Sequence, residues 1–313
     1  MIADKYQSTL VGLSFGLLAA LIWGSWPVVS KHLTSQSLTM WDLTAIRFTA
    51  AGCVLIPVLF YQLSKVKGWL VKGSLLSIGA GAPYVLVATL GLTLAPSSHF
   101  GLIAPSCMLL FTTIGSVLLF KEKISASRWL GIVMILLGVA SVSFNQIGTV
   151  SLSTLSGDML FVCSGFLWAS YTLLCKHWQL KPWLATSMVA VFSMVAYLPF
   201  YLANHLDSLR KIPLEVLLQQ GFYQGVVTSI LALYCYSKCV SILGAAQGAV
   251  FAALVPPTTI LLSISFLGES LAAAEQIGLF AVSTGFVFAL GIASRVHRAI
   301  FTVKVRNENS KKY

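Results

Sequence analysis

The chain has 313 residues, of which 57% are hydrophobic and 9% charged, with a formal net charge of +11. A soluble domain carries about 25% charged residues, so this surface must largely face lipid, and an ordinary water-soluble domain is excluded. The positive charge does not point to nucleic acid, because the Lys and Arg residues sit between apolar runs and in the tail and form no basic domain.

A bilayer-crossing helix needs about 20 apolar residues. Ten runs meet that length, roughly 10–30, 40–62, 72–93, 98–120, 128–145, 157–176, 183–203, 217–237, 244–267 and 275–294. Backbone in lipid must satisfy its own hydrogen bonds, and runs of this length are too long for barrel strands, so the spans are predicted to be helices. The first carries Trp23 and Trp26; it is too long for a signal h-region, has only Lys5 before it, and reads as a retained span. The second holds Arg47 about seven residues in, and the third has Gly79, Gly81, Pro83 and Tyr84. His99 precedes the fourth, which contains Pro105, and the fifth contains Gly131 and Gly138. Asp158 opens the sixth, followed by Trp168 and Tyr171, and Tyr234 and Tyr236 lie in the eighth. Gln247 opens the ninth, with Pro256-Pro257 midway, and the tenth repeats the glycines as Gly278 and Gly285. The six Cys lie in or at the ends of apolar runs, form no paired ligand motif, and read as small packing residues.

Basic residues stay on the cytoplasmic side. With ten spans, sixteen of the twenty Lys and Arg fall on one face, among them Lys65, Lys72, Lys121, Lys176, Lys238 and the tail 295–313. Both termini are therefore predicted to be cytoplasmic, and the basic tail to rest on anionic headgroups.

The sequence repeats itself. WGSWPVVSKH (Trp23–His32) and WASYTLLCKH (Trp168–His177) share Trp, Ser, Lys and His at the same places, 145 positions apart. Glu122 and Glu269, Gly131 and Gly278, and Gly138 and Gly285 share an offset of 147. Residues 10–145 and 157–294 are thus two copies of one five-helix unit. Five is odd, so the copies are expected to have opposite orientations, related by a pseudo-two-fold axis in the membrane plane. Inverted repeats of this kind suit a carrier, because two similar opposed halves can rock between outward-open and inward-open states of similar energy. A duplicated packing scaffold is the plainer alternative.

These residues resemble the drug/metabolite transporter superfamily, and within it the EamA type. The likeness runs over about residues 10–294. It is carried by W-G-S-W-P in the first span, A-I-R-F with Arg47 in the second, G-D-M-L at Gly157 and Asp158, L-W-A at Leu167 to Ala169, and L-G-E at Leu267 to Glu269. The first half departs at Phe120-Lys121-Glu122, which lacks the family's Gly before Glu. The resemblance implies a bacterial inner-membrane carrier of small metabolites, often an exporter of amino acids or related compounds.

Candidate binding residues follow from what is unusual at mid-membrane. Interface belts hold Trp and Tyr at helix ends, a role that fits Trp41, Trp69, Trp129 and Trp183. Trp23, Trp26, Tyr84, Trp168, Tyr171 and Tyr234 lie deeper and need partners for their polar tips. A cavity supplies such partners, and core packing is the alternative. Arg47 either snorkels or meets a substrate carboxylate. Pro256, in the double Pro, marks a helix break of the kind that exposes backbone groups to a cavity. His99 and Gln247 complete the candidates. Asp158 is read as a favourable charge at a helix N-terminus. The chain has no P-loop, no H-E-x-x-H and no facing pair of mid-membrane carboxylates. It is read as a non-enzyme that needs no metal or cofactor.

The expectation is an all-α membrane protein of ten transmembrane helices in two inverted five-helix repeats. It would move a small polar, amino-acid-like metabolite across the bacterial inner membrane by alternating access, as an exporter. An importer or exchanger of a nucleoside-containing metabolite such as S-adenosylmethionine is the second reading, and a non-transporting sensor or assembly partner the third.

Overall fold

The computed structural model describes residues 2–34, 38–63, 66–95, 97–144, 152–267 and 273–289. Glu269 and the tail lie outside them. Among the described residues there is no strand. The helices are α1 (Ile2–Thr34), α2 (Met40–Leu63), α3 (Trp69–Ala80), α4 (Ala82–Leu94), α5 (Ser97–Phe120), α6 (Ala126–Phe144), α7 (Leu152–His177) and α8 (Pro182–Lys211). After α9 (Leu214–Gln220) comes an 11-residue π-helix (Gly221–Leu231), then α10 (Ala232–Leu243), α11 (Ala245–Ala249), a 3₁₀ segment (Val250–Leu254), α12 (Val255–Leu267) and α13 (Ala273–Ala289). Among the described residues, seven helical stretches are long and apolar enough to cross a bilayer. They are Thr9–Trp26, Met40–Leu63, Trp69–Leu94, Ile103–Phe120, Leu152–His177, Pro182–Lys211 and Leu214–Leu243. Ala126–Gly138, Val255–Phe266 and Gln276–Ala289 are shorter apolar helices.

Three runs that read as continuous in the sequence are interrupted. The third breaks at Gly81 (φ −100°, ψ −145°), where Ser193 Oγ of α8 accepts the Ala82 N–H at 3.1 Å. A Cβ on Gly81 would lie 2.0 Å from that oxygen, so only glycine lets the backbone come this close. The eighth widens into the π-helix. The ninth turns at Gly244 (φ 90°) and passes through the 3₁₀ segment before α12. Pro256 and Pro257 sit in the first turn of α12, where their missing N–H groups have no intrahelical partner to lose. They start a helix here rather than kink one. His99 lies inside the first turn of α5 rather than before it, and its side chain is outside the described set.

The core lies between α2, α7, α8 and α10, with Phe48, Tyr171, Tyr201 and Tyr236 almost fully buried. Asp42, in the first turn of α2, is completely buried. Its carboxylate accepts from Thr39 N (2.7 Å), Thr39 Oγ1 (2.6 Å), Tyr201 Oη (2.5 Å) and Ser208 Oγ (2.9 Å). At the far end of the bundle, Lys176 pairs with Glu122 and sits 4.4 Å above the Phe120 ring.

Helices α6 and α13 meet through glycine. A Cβ on Gly131 would lie 2.5 Å from Gly285 O, and one on Gly138 would lie 2.9 Å from Gly278 O. Backbones approach this closely only without side chains between them. Gly131→Leu is therefore expected to destabilise the protein by about 1–3 kcal/mol through overpacking. Val133→Leu, on an exposed position of the same helix, is expected to melt like wild type. Equal melting temperatures for the two variants in detergent would refute this account of the contact.

Candidate functional site

The site grows from the interruptions of two helices. Gly81 ends α3, and α4 begins again with Tyr84 in its first turn. Residue 226, which lies 145 positions beyond Gly81, falls inside the π-helix. Helix α2 packs against both α4 and the π-helix, and Arg47 lines a small cavity with Ala80, next to Gly81, and Ser229 of the π-helix. The Arg47 side chain is 8% exposed. Its Nε donates to Ser229 Oγ at 2.6 Å, and Ser229 Oγ donates to Gln224 O at 2.7 Å. That second bond spans five residues, so it exists because the π-helix opens the turn. No carboxylate among the described residues pairs with the guanidinium.

Arg47 lines a cavity together with Trp23, Trp26, Tyr84 and Trp168. Phe100, Pro105 and Val255 close other sides. Trp23 and Trp168, the repeated tryptophans, meet edge to face with ring centroids 4.8 Å apart. Tyr84 meets Trp168 at 4.7 Å and Trp26 meets Phe100 at 6.2 Å. The indoles of α1 are tied to the π-helix: Trp23 Nε1 donates to Thr228 O (3.3 Å) and Trp26 Nε1 to Gln224 Oε1 (2.7 Å). Ser25 and Tyr223 share a hydrogen bond of 3.0 Å beside them.

Of the sequence candidates, the structure brings together Trp23, Trp26, Arg47, Tyr84 and Trp168. Tyr171 lies behind Trp168, bonded to Ser237 Oγ at 2.6 Å. Tyr234 instead stacks on Trp183 at 4.3 Å. Gln247 lies at the start of α11, where its amide, placed to satisfy both neighbours, donates to Leu243 O (3.1 Å) and accepts from Arg128 Nη2 (3.0 Å). Pro256 is buried beside Val255 and off the cavity wall. Sequence reasoning missed Gln220, Gln224, Thr228 and Ser229. Their signal was Gln220, Gln224 and Thr228 at spacing four, with Ser229 next to the last, inside an apolar run and all buried.

Among the described residues nothing here pairs a nucleophile with a base. The arrangement binds: one cation, ring faces, and the indoles of Trp23 and Trp26, whose donors are already used, beside that of Trp168, whose buried Nε1 has no hydrogen-bond partner among the described residues. The model of the EamA-like transporter family matches residues 10–144 and again 155–291. The chain belongs to the EamA-like transporter family. As a member it is a membrane transporter and not an enzyme. At 24% identity it is similar to an uncharacterized transporter of Haemophilus influenzae, over 90% of this chain and 95% of that protein. It is also 24% identical to the uncharacterized transporter YetK of Bacillus subtilis, over 88% and 86%. A crystal structure 19% identical to it superposes with a TM-score of 0.69, covering 90% of this chain and 98% of that one, and agrees in fold.

Proposed function

We propose that this EamA-like transporter is a ten-helix carrier built from two inverted five-helix repeats, residues 10–145 and 157–294, with both termini cytoplasmic. It moves a small polar, amino-acid-like metabolite outward across the bacterial inner membrane by alternating access. The observation that carries this reading is the meeting of Trp23 with its repeat mate Trp168 beside the buried Arg47 in one cavity. Two mates touch each other where a pseudo-two-fold axis passes.

The packing supports the same axis. Exchanging the copies turns the contact Gly131–Gly285 into Gly278–Gly138, which is the other contact observed. Helix α2 packs on its mate α8, and α6 on its mate α13. Helix α1 packs on α10 as α7 packs on α4, and α5 packs on α7 as α12 packs on α1. Broken helices in corresponding places of the two halves are where carriers of this kind bind their cargo, and Gly81 and the π-helix are such a pair.

A second cavity, lined by Phe120, Lys176, Ser237 and Gly244, lies at the end where the basic residues gather. Trp168, Tyr171 and Tyr236 separate it from the aromatic cavity, joined by the bonds Tyr171–Ser237 (2.6 Å) and Thr172–Tyr236 (2.8 Å). This is a closed inner barrier, with the Glu122–Lys176 pair at its mouth. Among the described residues no carboxylate lines the aromatic cavity, and Glu122 at the barrier's mouth is held by Lys176. Proton carriers keep a buried titratable relay, so transport here is exchange or facilitated diffusion. The test uses purified protein in proteoliposomes and a solute selected by thermal stabilisation. Counterflow of that solute is expected to persist without a pH or sodium gradient, and a strict requirement for a proton gradient would refute this mechanism.

A further inference from the structure

We infer that the solute enters the aromatic cavity as a net monoanion, a carboxylate on a flat or apolar body that bears no free ammonium. Within the amino-acid-like class this means a skeleton whose amine is absent or acylated, such as an aryl or 2-oxo acid. The inference rests on the cavity being the transport site.

The charge balance of the wall carries it. Arg47 is a full positive charge held nine-tenths buried within a membrane-spanning helix. A buried cation without a counter-charge is unfavourable. Its Nε is committed to Ser229 and its guanidinium lies 5.7 Å from the Phe48 ring centroid, but among the described residues its Nη groups have no hydrogen-bond partner, while the side chain lines the cavity. A carboxylate is the ligand that takes such a fork, with two parallel hydrogen bonds.

Among the described residues the same wall has no counter-charge for an ammonium, and the Tyr84 hydroxyl is a neutral acceptor. An ammonium needs acceptors, and among the described residues no Asp, Glu, Asn or Gln lines the cavity. Gln224 Oε1 and Thr228 O, the nearest acceptors of the π-helix, already receive the indole N–H groups of Trp26 and Trp23. Ring faces attract cations, but Arg47 shares the chamber and repels a second positive charge. A zwitterion therefore gains at its carboxylate and loses at its ammonium, whereas a monoanion only gains. The remaining walls, from Trp23, Trp168, Tyr84 and Phe100, offer edges and faces to an apolar body.

The test holds one ring constant and varies charge. Phenylacetate, phenylacetamide, phenethylamine and phenylalanine are titrated into the full-length purified protein, and binding is read by tryptophan fluorescence and by melting temperature. Phenylacetate is expected to bind about tenfold or more tighter than each of the other three, the scale of one charge-assisted pair. In Arg47→Gln the acid and the amide should bind alike, and in Arg47→Lys the preference should survive but shrink. Should Arg47→Gln not fold, Ser229→Ala frees the guanidinium from its tether and is expected to weaken the acid severalfold and leave the amide unchanged. Tighter binding of phenylalanine or of the amine, equal binding of acid and amide, an anion preference that persists in Arg47→Gln, or no binding by any of the four would each overturn the inference. Counterflow of a different solute with none of the four bound would sink the charge inference and leave the transport reading. Arg47-dependent acid binding with no solute ever carried would do the reverse.

Discussion

Trp168→Ala is expected to lower stability by ~3–5 kcal/mol, the range for truncating a large buried aromatic. Trp168 is 5% exposed and touches four rings, with centroids at 4.7 Å (Tyr84), 4.8 Å (Trp23), 5.9 Å (Tyr236) and 6.0 Å (Tyr171). Its loss opens a hole between the cavity and the inner barrier, which the stiff neighbouring rings cannot fill. Trp168→Phe separates the roles, because it keeps most of the bulk. It is expected to fold and insert but to transport poorly, since an aromatic contact to ligand is worth ~2 kcal/mol, or roughly 30-fold in affinity. Trp23→Phe should behave similarly, with the added loss of the bond to Thr228 O. Melting curves and counterflow at matched expression check both. Wild-type transport by both Phe variants would make the repeated tryptophans scaffold and move the binding site elsewhere.

The repeat made much of this site legible. A Trp recurring 145 positions on, and a lone Arg eight residues into a span, are visible in a single chain. Of the ten apolar runs read from the sequence, seven appear among the described residues as helices long enough to cross a bilayer and three as shorter apolar helices. What the sequence hid is how the backbone winds. A π-helix has the same apolar composition as an α-helix, and a segment buried on most sides has no polar face from which to count the period. Each extra residue in a turn rotates everything after it by about 100°. That rotation explains why Tyr234, placed by its depth among the pocket candidates, instead reaches Trp183. It also explains why Gln224 and Ser229, five apart, serve one Arg. Gln247 and Pro256 were judged by their place in a span that proves to be three short segments, so their positions along it said little about the cavity. Asp42 lies in the first turn of α2, among the acidic residues that the sequence places at helix ends and in loops. Its burial comes from α8, more than 150 residues away, and no local pattern reports a contact of that range.

That carboxylate leads to the other large effect. Asp42→Ala is expected to destabilise the protein by ~3–5 kcal/mol, comparable to removing one partner of a buried charged interaction. Four hydrogen bonds converge on it, two from Thr39 at the start of α2 and two from Tyr201 and Ser208 of α8. Alanine would leave the Tyr201 hydroxyl, on a side chain 1% exposed, with no acceptor. A buried donor stranded in this way costs about 1–3 kcal/mol by itself. Asp42→Asn keeps the shape but turns one acceptor oxygen into a donor facing other donors, so an intermediate loss of ~1–2 kcal/mol is expected. Tyr201→Phe removes one donor and no acceptor, and should be milder than Asp42→Ala. Because the two residues act through one bond, Asp42→Ala with Tyr201→Phe should be less harmful than the sum of the single changes. Thermal melting of the four proteins in detergent measures this coupling directly. If Asp42→Ala melted like wild type while counterflow disappeared, the carboxylate would serve transport rather than the lock between α2 and α8, and the absence of a proton relay would have to be abandoned with it.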